Sequence, residues 1–180
     1  SELVTENLRE VGHPGWTDGE LEFASKIAET IDQKSKMESL KQRKVPDYKK
    51  YKDVNLVSDI LDAWNEGEIS HGSTDVSDVS WQCPTMEFNT SCNVLGVPGH
   101  DWRFTSISGM SIGHKSLIFS AKTMASSALD LFTKPEILER AWEEHRERLG
   151  DREYSSPIPE DVNPPLEIAK EAWEKLKGKR

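Results

Sequence analysis

Among these 180 residues, His114 has the type and position most suited to chemistry. It stands where a glycine-containing loop, Ser108-Gly109-Met110-Ser111-Ile112-Gly113, meets the start of a long apolar helical pattern. A loop set against a rigid element is where a scaffold usually presents a working side chain. Neutral imidazole is also the commonest nitrogen ligand for zinc. The alternative is a histidine that caps or packs at a helix start. Ser73, Thr74 and Asp75, after His71-Gly72, form a second candidate loop. It can turn N–H and hydroxyl groups toward an anionic ligand, or simply close a hydrogen-bonded Asx or Ser/Thr turn. His100, with Asp101, follows a Pro-Gly turn, where it either touches a substrate or is exposed. Glu143-Glu144-His145 carries less. Adjacent carboxylates on one helix diverge by about 100° and cannot share a metal from that helix, so a solvated face is the reading. His13 and His71 carry no spacing of their own. There is no His-Glu-x-x-His, Cys-x-x-Cys, phosphate loop, Gly-x-Gly-x-x-Gly or Gly-x-Ser-x-Gly. A metal site needs three or four ligands in one place, and spacing alone does not assemble them here.

The elements that must position these residues are marked to different degrees. Residues 1–16 show no clear period, and Gly12, Pro14 and Gly15 punctuate a loop. Thr17-Asp18-Gly19-Glu20 reads as a capping box, and Leu21, Phe23, Ala24, Ile27, Ala28 and Ile31 follow at helical spacing. That spacing predicts a helix over 18–32. Residues 33–68 are rich in charge and read as an irregular, exposed insertion, with a short helix or turn near 55–64. Partial alternation predicts a bent strand from Thr85 to Val94 and a second strand from Trp102 to Ile107. Leu117, Ile118, Ala121, Met124, Ala125, Ala128, Leu129 and Phe132 form an apolar stripe, predicting a buried helix of about 16 residues just after His114. Pro135 suits a first helical position, and Gly150 closes the helix it begins. Ser156 to Pro165 reads as extended, and Leu166 to Leu176 as a terminal helix. Interleaved strands and helices predict an α/β or α+β class, a mixed sheet packed by helices, in one domain spanning 1–180.

Charge narrows the partners. The formal net charge is −9, which repels phosphate backbones and anionic lipid, so neither nucleic acid nor a membrane surface is expected. No window approaches the roughly 18 apolar residues of a bilayer span, and the acidic, polar N-terminus does not read as a signal peptide. Cys83 and Cys92 are the only cysteines and are expected to be reduced thiols, which points to the cytoplasm.

Four blocks, taken together and in this order, carry a resemblance. They are Gly72 through Trp81 to Pro84; Gly96-Val97-Pro98-Gly99-His100-Asp101-Trp102; Ser111-Ile112-Gly113-His114-Lys115 with the small-residue helix after it; and Pro157-Ile158-Pro159 with Pro164-Pro165-Leu166. The chain resembles the M20 amidohydrolases, and within them the p-aminobenzoyl-glutamate hydrolase subfamily. The resemblance covers about residues 70–166 well and residues 6–32 more loosely. It implies hydrolysis of the amide of N-acyl or N-aroyl amino acids, or of small peptides. The catalyst implied is a pair of divalent ions, zinc or manganese, that polarises the carbonyl and activates water. It places the family's last metal ligand on His114. It places Ser73, Thr74, Asp75 and His100 along the substrate cleft.

The departures are as informative. The family's His-x-Asp motif, bridging aspartate and Glu-Glu pair lie upstream of its dimerisation domain, and no His-x-Asp occurs here. The expectation is a C-terminal part of a catalytic domain. It would lack its N-terminal half and dimerisation domain, would be inactive alone, and would belong to an oligomeric parent. Such a part should expose apolar surface where the rest would pack. The rival is a non-catalytic module that keeps the fold for ligand binding or contact between subunits.

Overall fold

A computed structural model describes residues 1–65 and 74–177. Every regular element among them is helical: α1 Glu2–Val11, α2 Asp18–Ala28, α3 Gln33–Gln42, a 3-10 turn Tyr48–Tyr51, α4 Val76–Gln82, α5 Trp102–Ser108, α6 Ser111–Thr133, α7 Pro135–Leu149 and α8 Leu166–Lys177. The expected α/β architecture with a mixed sheet is overturned, because no strand occurs among the described residues. The Trp102–Ile107 alternation is too short to separate a period of two from one of 3.6. Asp101 settles the matter locally, since its carboxylate accepts the Arg103 backbone N–H at 2.8 Å and caps α5. The 85–94 stretch is irregular. Leu95 N–H donates to the Asn55 carbonyl at 2.8 Å, but no ladder builds on that bond.

The expected capping box holds. Thr17 Oγ1 accepts the Glu20 N–H at 3.3 Å, and Glu20 Oε2 accepts the Thr17 N–H at 2.7 Å. The core sits between α2, α5, the start of α6 and two loops. It gathers Ala24, Ile27, Leu56, Val94, Ile107 and Ile112, with Trp16, Phe23 and Ile31 against its edge. Residues 33–68, expected to be irregular, carry α3 and the 3-10 turn. Lys36 lies buried and donates to the carbonyls of Lys52 and Val54 at 2.9 and 2.7 Å, so a lysine does the anchoring an apolar residue usually does. Residues 1–16, expected to show no clear period, carry α1, which packs on α6 and buries Thr5, Asn7 and Leu8. Asn7 Nδ2 reaches Asp130 Oδ2 at 2.9 Å.

α6 is longer than expected and turned the other way. Its buried residues are Ile112, Gly113, Ser116, Phe119, Thr123 and Ser127, whereas Leu117, Met124, Leu129 and Phe132 of the predicted buried stripe face solvent. The inward hydroxyls are tolerated because most are bonded. Thr123 Oγ1 donates to the Phe119 carbonyl at 3.0 Å, and Thr90 Oγ1 lies 2.6 and 2.7 Å from the hydroxyls of Ser116 and Ser120. Small side chains on that face let α1 and α5 come close. The tightest approach is at Gly113, where a Cβ would meet the Ser108 carbonyl oxygen at 2.2 Å.

One ion pair fixes the first turn of α6. Lys115 Nζ meets Glu20 Oε2 at 2.6 Å and also donates to the Gly15 carbonyl at 3.1 Å. The Glu20 side chain is only 6% exposed. Burial alone would raise its carboxyl, but hydrogen bonds from Lys115, Ser111 and Thr17 outweigh that and hold it at about 2. His13 completes the latch, its ring edge-on to Trp16 at 4.5 Å and to Phe119 at 5.7 Å. Its Nδ1 accepts the Gly15 N–H at 3.0 Å.

Three outcomes follow for the frame. Gly113→Ala destabilises the chain by about 1–3 kcal/mol through overpacking against backbone. Gly19→Ala, where a Cβ meets nothing within 4 Å, is neutral or stabilising by up to about 1 kcal/mol. Urea unfolding of the two variants measures both. The folded value of Glu20 lies below its ordinary 4.5, so its contribution is complete above that pH and is lost as pH falls toward about 2. Glu20→Gln is therefore less stable than the parent near neutrality, and the two converge in acid. Urea midpoints across that range would show parallel curves if Glu20 were unimportant.

Candidate functional site

His114 occupies the fourth position of α6, its N–H donating to the Met110 carbonyl at 3.0 Å. Its neighbour Lys115 turns inward to Glu20, while the His114 side chain is exposed. It lies on the same side of α6 as Leu117, Ala121, Ala125 and Phe132, at the N-terminal end of the open apolar face. The alternative role for this histidine, a side-chain cap, is absent, since the N-cap of α6 is Met110 without a side-chain bond. The imidazole is thus held by a rigid first turn and presented outward.

The other candidates stand apart from it. Ser73, with His71 and Gly72, lies outside the described residues. Thr74 and Asp75 are exposed at the entry to α4, where Thr74 Oγ1 accepts the Val76 N–H at 3.3 Å. Asp75 occupies the N-cap position of α4 without a side-chain bond to it. At Thr74 this is the hydrogen-bonded turn that stood as the alternative for the loop. His100 is exposed with φ +59°, a left-handed backbone that leads into the Asp101 cap. Asp101 and Arg103 pair at 2.7 Å, and Arg103 reaches on to the Thr30 carbonyl at 2.8 Å. Hydrogen bonds from the Arg103 side chain and backbone hold the Asp101 carboxyl at about 2. Asp101 therefore ties α5 to the end of α2 and is a frame residue beside His100.

Glu143-Glu144-His145 divides in two. The acids are exposed and Glu144 pairs with Arg148 at 2.7 Å, as a solvated face requires. His145 turns inward: its Nε2 donates to the Ser80 carbonyl at 3.0 Å, linking α7 to α4, and its buried Nδ1 has no partner. Tyr154 strengthens the same link by donating to Asp78 at 2.8 Å. A shallow groove along α7, lined by Leu138, Glu139, Trp142, Glu143 and Arg146, holds none of the predicted site residues.

The donor set does not fit a metal centre by itself. Among the described residues no three His, Cys, Asp or Glu converge on a point that could hold a metal ion. His114 is therefore a single outward-facing donor, and the described residues alone assemble no hydrolytic centre. The residues that sequence reasoning missed are Glu20, Lys115 and His13, which lock the turn that carries His114. The capping box is the one signal for Glu20; nothing in spacing marks its link to Lys115 across 95 positions. No described helix is long and apolar enough to cross a membrane.

No family model matches the chain, and no solved structure does. The chain is 29% identical over 164 aligned residues to a curated subunit of p-aminobenzoyl-glutamate hydrolase from Escherichia coli (strain K12), covering 87% of this chain and 34% of that protein. The likeness extends well beyond the four blocks that first carry it. The chain is thus similar over most of its length to this hydrolase subunit, and spans about a third of the length of that curated relative.

Proposed function

We propose that this chain is the C-terminal part of a metal-dependent amidohydrolase acting on N-acyl or N-aroyl amino acids such as p-aminobenzoyl-glutamate. The observation that carries the reading is the similarity to the p-aminobenzoyl-glutamate hydrolase subunit, which extends over 87% of the chain. The local geometry supports it at one residue. His114 sits on a turn fixed by Glu20 and Lys115, with its imidazole exposed and free of a capping role. In this reading His114 gives one ligand to a zinc or manganese pair, and the remaining ligands come from sequence outside these 180 residues. The metal pair, when bound, would polarise the amide carbonyl and supply a hydroxide-like nucleophile. The share of this chain is to hold one imidazole rigidly and to lend substrate contacts from Ser73, Thr74, Asp75 and His100. The intact protein would then work in the cytoplasm, within an assembly of subunits.

The exposed apolar face beside His114 is the surface expected of a part whose site is finished by other protein. The rival, a non-catalytic module, separates from this reading by metal dependence. The test uses the longest natural polypeptide containing this chain, with metal content and p-aminobenzoyl-glutamate hydrolysis followed in the same samples. His114→Ala is expected to release about one metal per chain and to lower activity by at least ~100-fold, as loss of a direct ligand exceeds the ~10–100-fold typical of its supporting partners. Thr74→Ala and His100→Ala are expected to raise KM more than they lower kcat. Unchanged metal and activity in His114→Ala would return His114 to a helix-end residue and favour the module.

A further inference from the structure

α4 is a helix that its own residues do not hold in place. It has seven of them, Val76–Gln82, and buries none. A helix this short is marginal by itself, and with no buried side chain the hydrophobic effect contributes little to its position. Directional contacts on one side fix it instead. Asp78 and Trp81 are three residues apart and so share a face. Asp78 Oδ1 accepts the Tyr154 hydroxyl at 2.8 Å. The Trp81 ring lies 6.2 Å from the Tyr154 ring between centroids, with the Arg152 guanidinium 5.7 Å from its centre. Beside them, His145 Nε2 donates to the Ser80 carbonyl at 3.0 Å. All of these holding residues belong to α7 or to the few residues after it. Arg152 is itself tied to the end of α7, donating from Nε to the Leu149 carbonyl at 3.0 Å and from Nη2 to the Arg148 carbonyl. α7 in turn packs on α6, the helix that carries His114.

We infer that Tyr154 and His145 are positioning residues: by clamping α4 they hold Thr74 and Asp75, at its entry, where substrate meets them. The inference rests on the proposed function, which gives Thr74 and Asp75 their substrate contacts. Asp78 lies one turn from Asp75, about 4.5 Å along the axis, so a tilt of α4 at the Tyr154 bond displaces both contact residues. They move with the helix, because Thr74 Oγ1 accepts the Val76 N–H at 3.3 Å. The Asp75 carboxylate makes no capping bond to α4 and is left to face outward contacts. Displacement by about 1 Å is enough to impair a site that depends on orientation. The contribution of His145 is one donor at one place, since its Nδ1 is buried without a partner. Glutamine carries an equivalent donor and alanine none.

The test uses the longest natural polypeptide containing this chain, with p-aminobenzoyl-glutamate as substrate. Tyr154→Phe keeps the ring and removes the bond to Asp78. It is expected to raise KM by about three- to tenfold, the worth of one hydrogen bond, with kcat changed by less than about twofold. His145→Ala is expected to do the same, and His145→Gln to return KM to within about twofold of the parent. A residue that only stabilised the fold would lower the active fraction, and with it the apparent kcat, while leaving KM alone. Amide hydrogen exchange over 76–82 is expected to quicken in Tyr154→Phe and His145→Ala, independently of activity. In a background of Thr74→Ala with Asp75→Ala, Tyr154→Phe is expected to raise KM no further, because the clamp acts through those two residues. A further rise there overturns the inference. So does an unchanged KM in Tyr154→Phe and His145→Ala while Thr74→Ala raises it, an outcome that leaves the proposed function standing. A polypeptide that does not hydrolyse the substrate, or whose KM ignores Thr74→Ala and Asp75→Ala, removes the substrate contacts and the inference together.

Discussion

The inward face of α6 sets the hydroxyls of Ser116, Thr123 and Ser127 among the hydrocarbon of Ile112 and Phe119, and the rest of the structure depends on that mixture. Ser116, Thr123 and Ser127 are small enough to bring neighbouring helices close, and Ser116 and Thr123 are bonded. α1 is thereby recruited through Asn7 and Asp130, and α5 through the contact between Ser108 and Gly113. Once that face is turned in, Leu117, Ile118, Met124, Leu129 and Phe132 are left on the outer side. A single rotation of one helix about its axis thus sets the packing of two others and the character of the surface.

The ion pair of Lys115 with Glu20 records the same choice at the helix start. Lys115 and His114 are adjacent in the chain but turned about 100° apart on the helix, so committing the lysine inward presents the histidine outward. The capping box of α2 contributes at both ends. Glu20 satisfies the Thr17 N–H and receives the lysine with the same oxygen. A pair this enclosed stabilises less by its Coulomb energy than by leaving neither charge unmatched. Its worth here is the fixed direction it gives to the first turn of α6.

Legibility in the sequence follows the strength of local chemistry. The start of α2, the Pro135 start and Gly150 end of α7, and α8 are readable because caps, proline and glycine act within a few residues. α1 carries a period that is easily passed over, since Val4, Leu8 and Val11 recur at helical spacing in only ten residues while what the helix buries is Thr5, Asn7 and Leu8. The two expected strands rest on alternation too brief to exclude a helix, and the Asp101 cap decides against the second. The α6 stripe is real but lies on the open side, since periodicity reveals a face and not what lies opposite it. At the candidate site, His114 is legible as a residue at a helix start. Its support from Glu20 is not, because that contact joins two distant parts of the chain. Lys36 shows the same limit, as no composition rule places a lysine in a core.

That lysine has a chemical consequence. Its amine is sealed between the carbonyls of Lys52 and Val54, and burial pushes its basicity down against the opposing influence of Asp53. An acylating reagent in solution meets many amines on this molecule at once, but this one only when the 52–54 turn lifts away. The rate at which Lys36 becomes labelled is then set by the opening of the backbone rather than by the nucleophilicity of the amine. It makes Lys36 a built-in clock for the local breathing of the α3 segment.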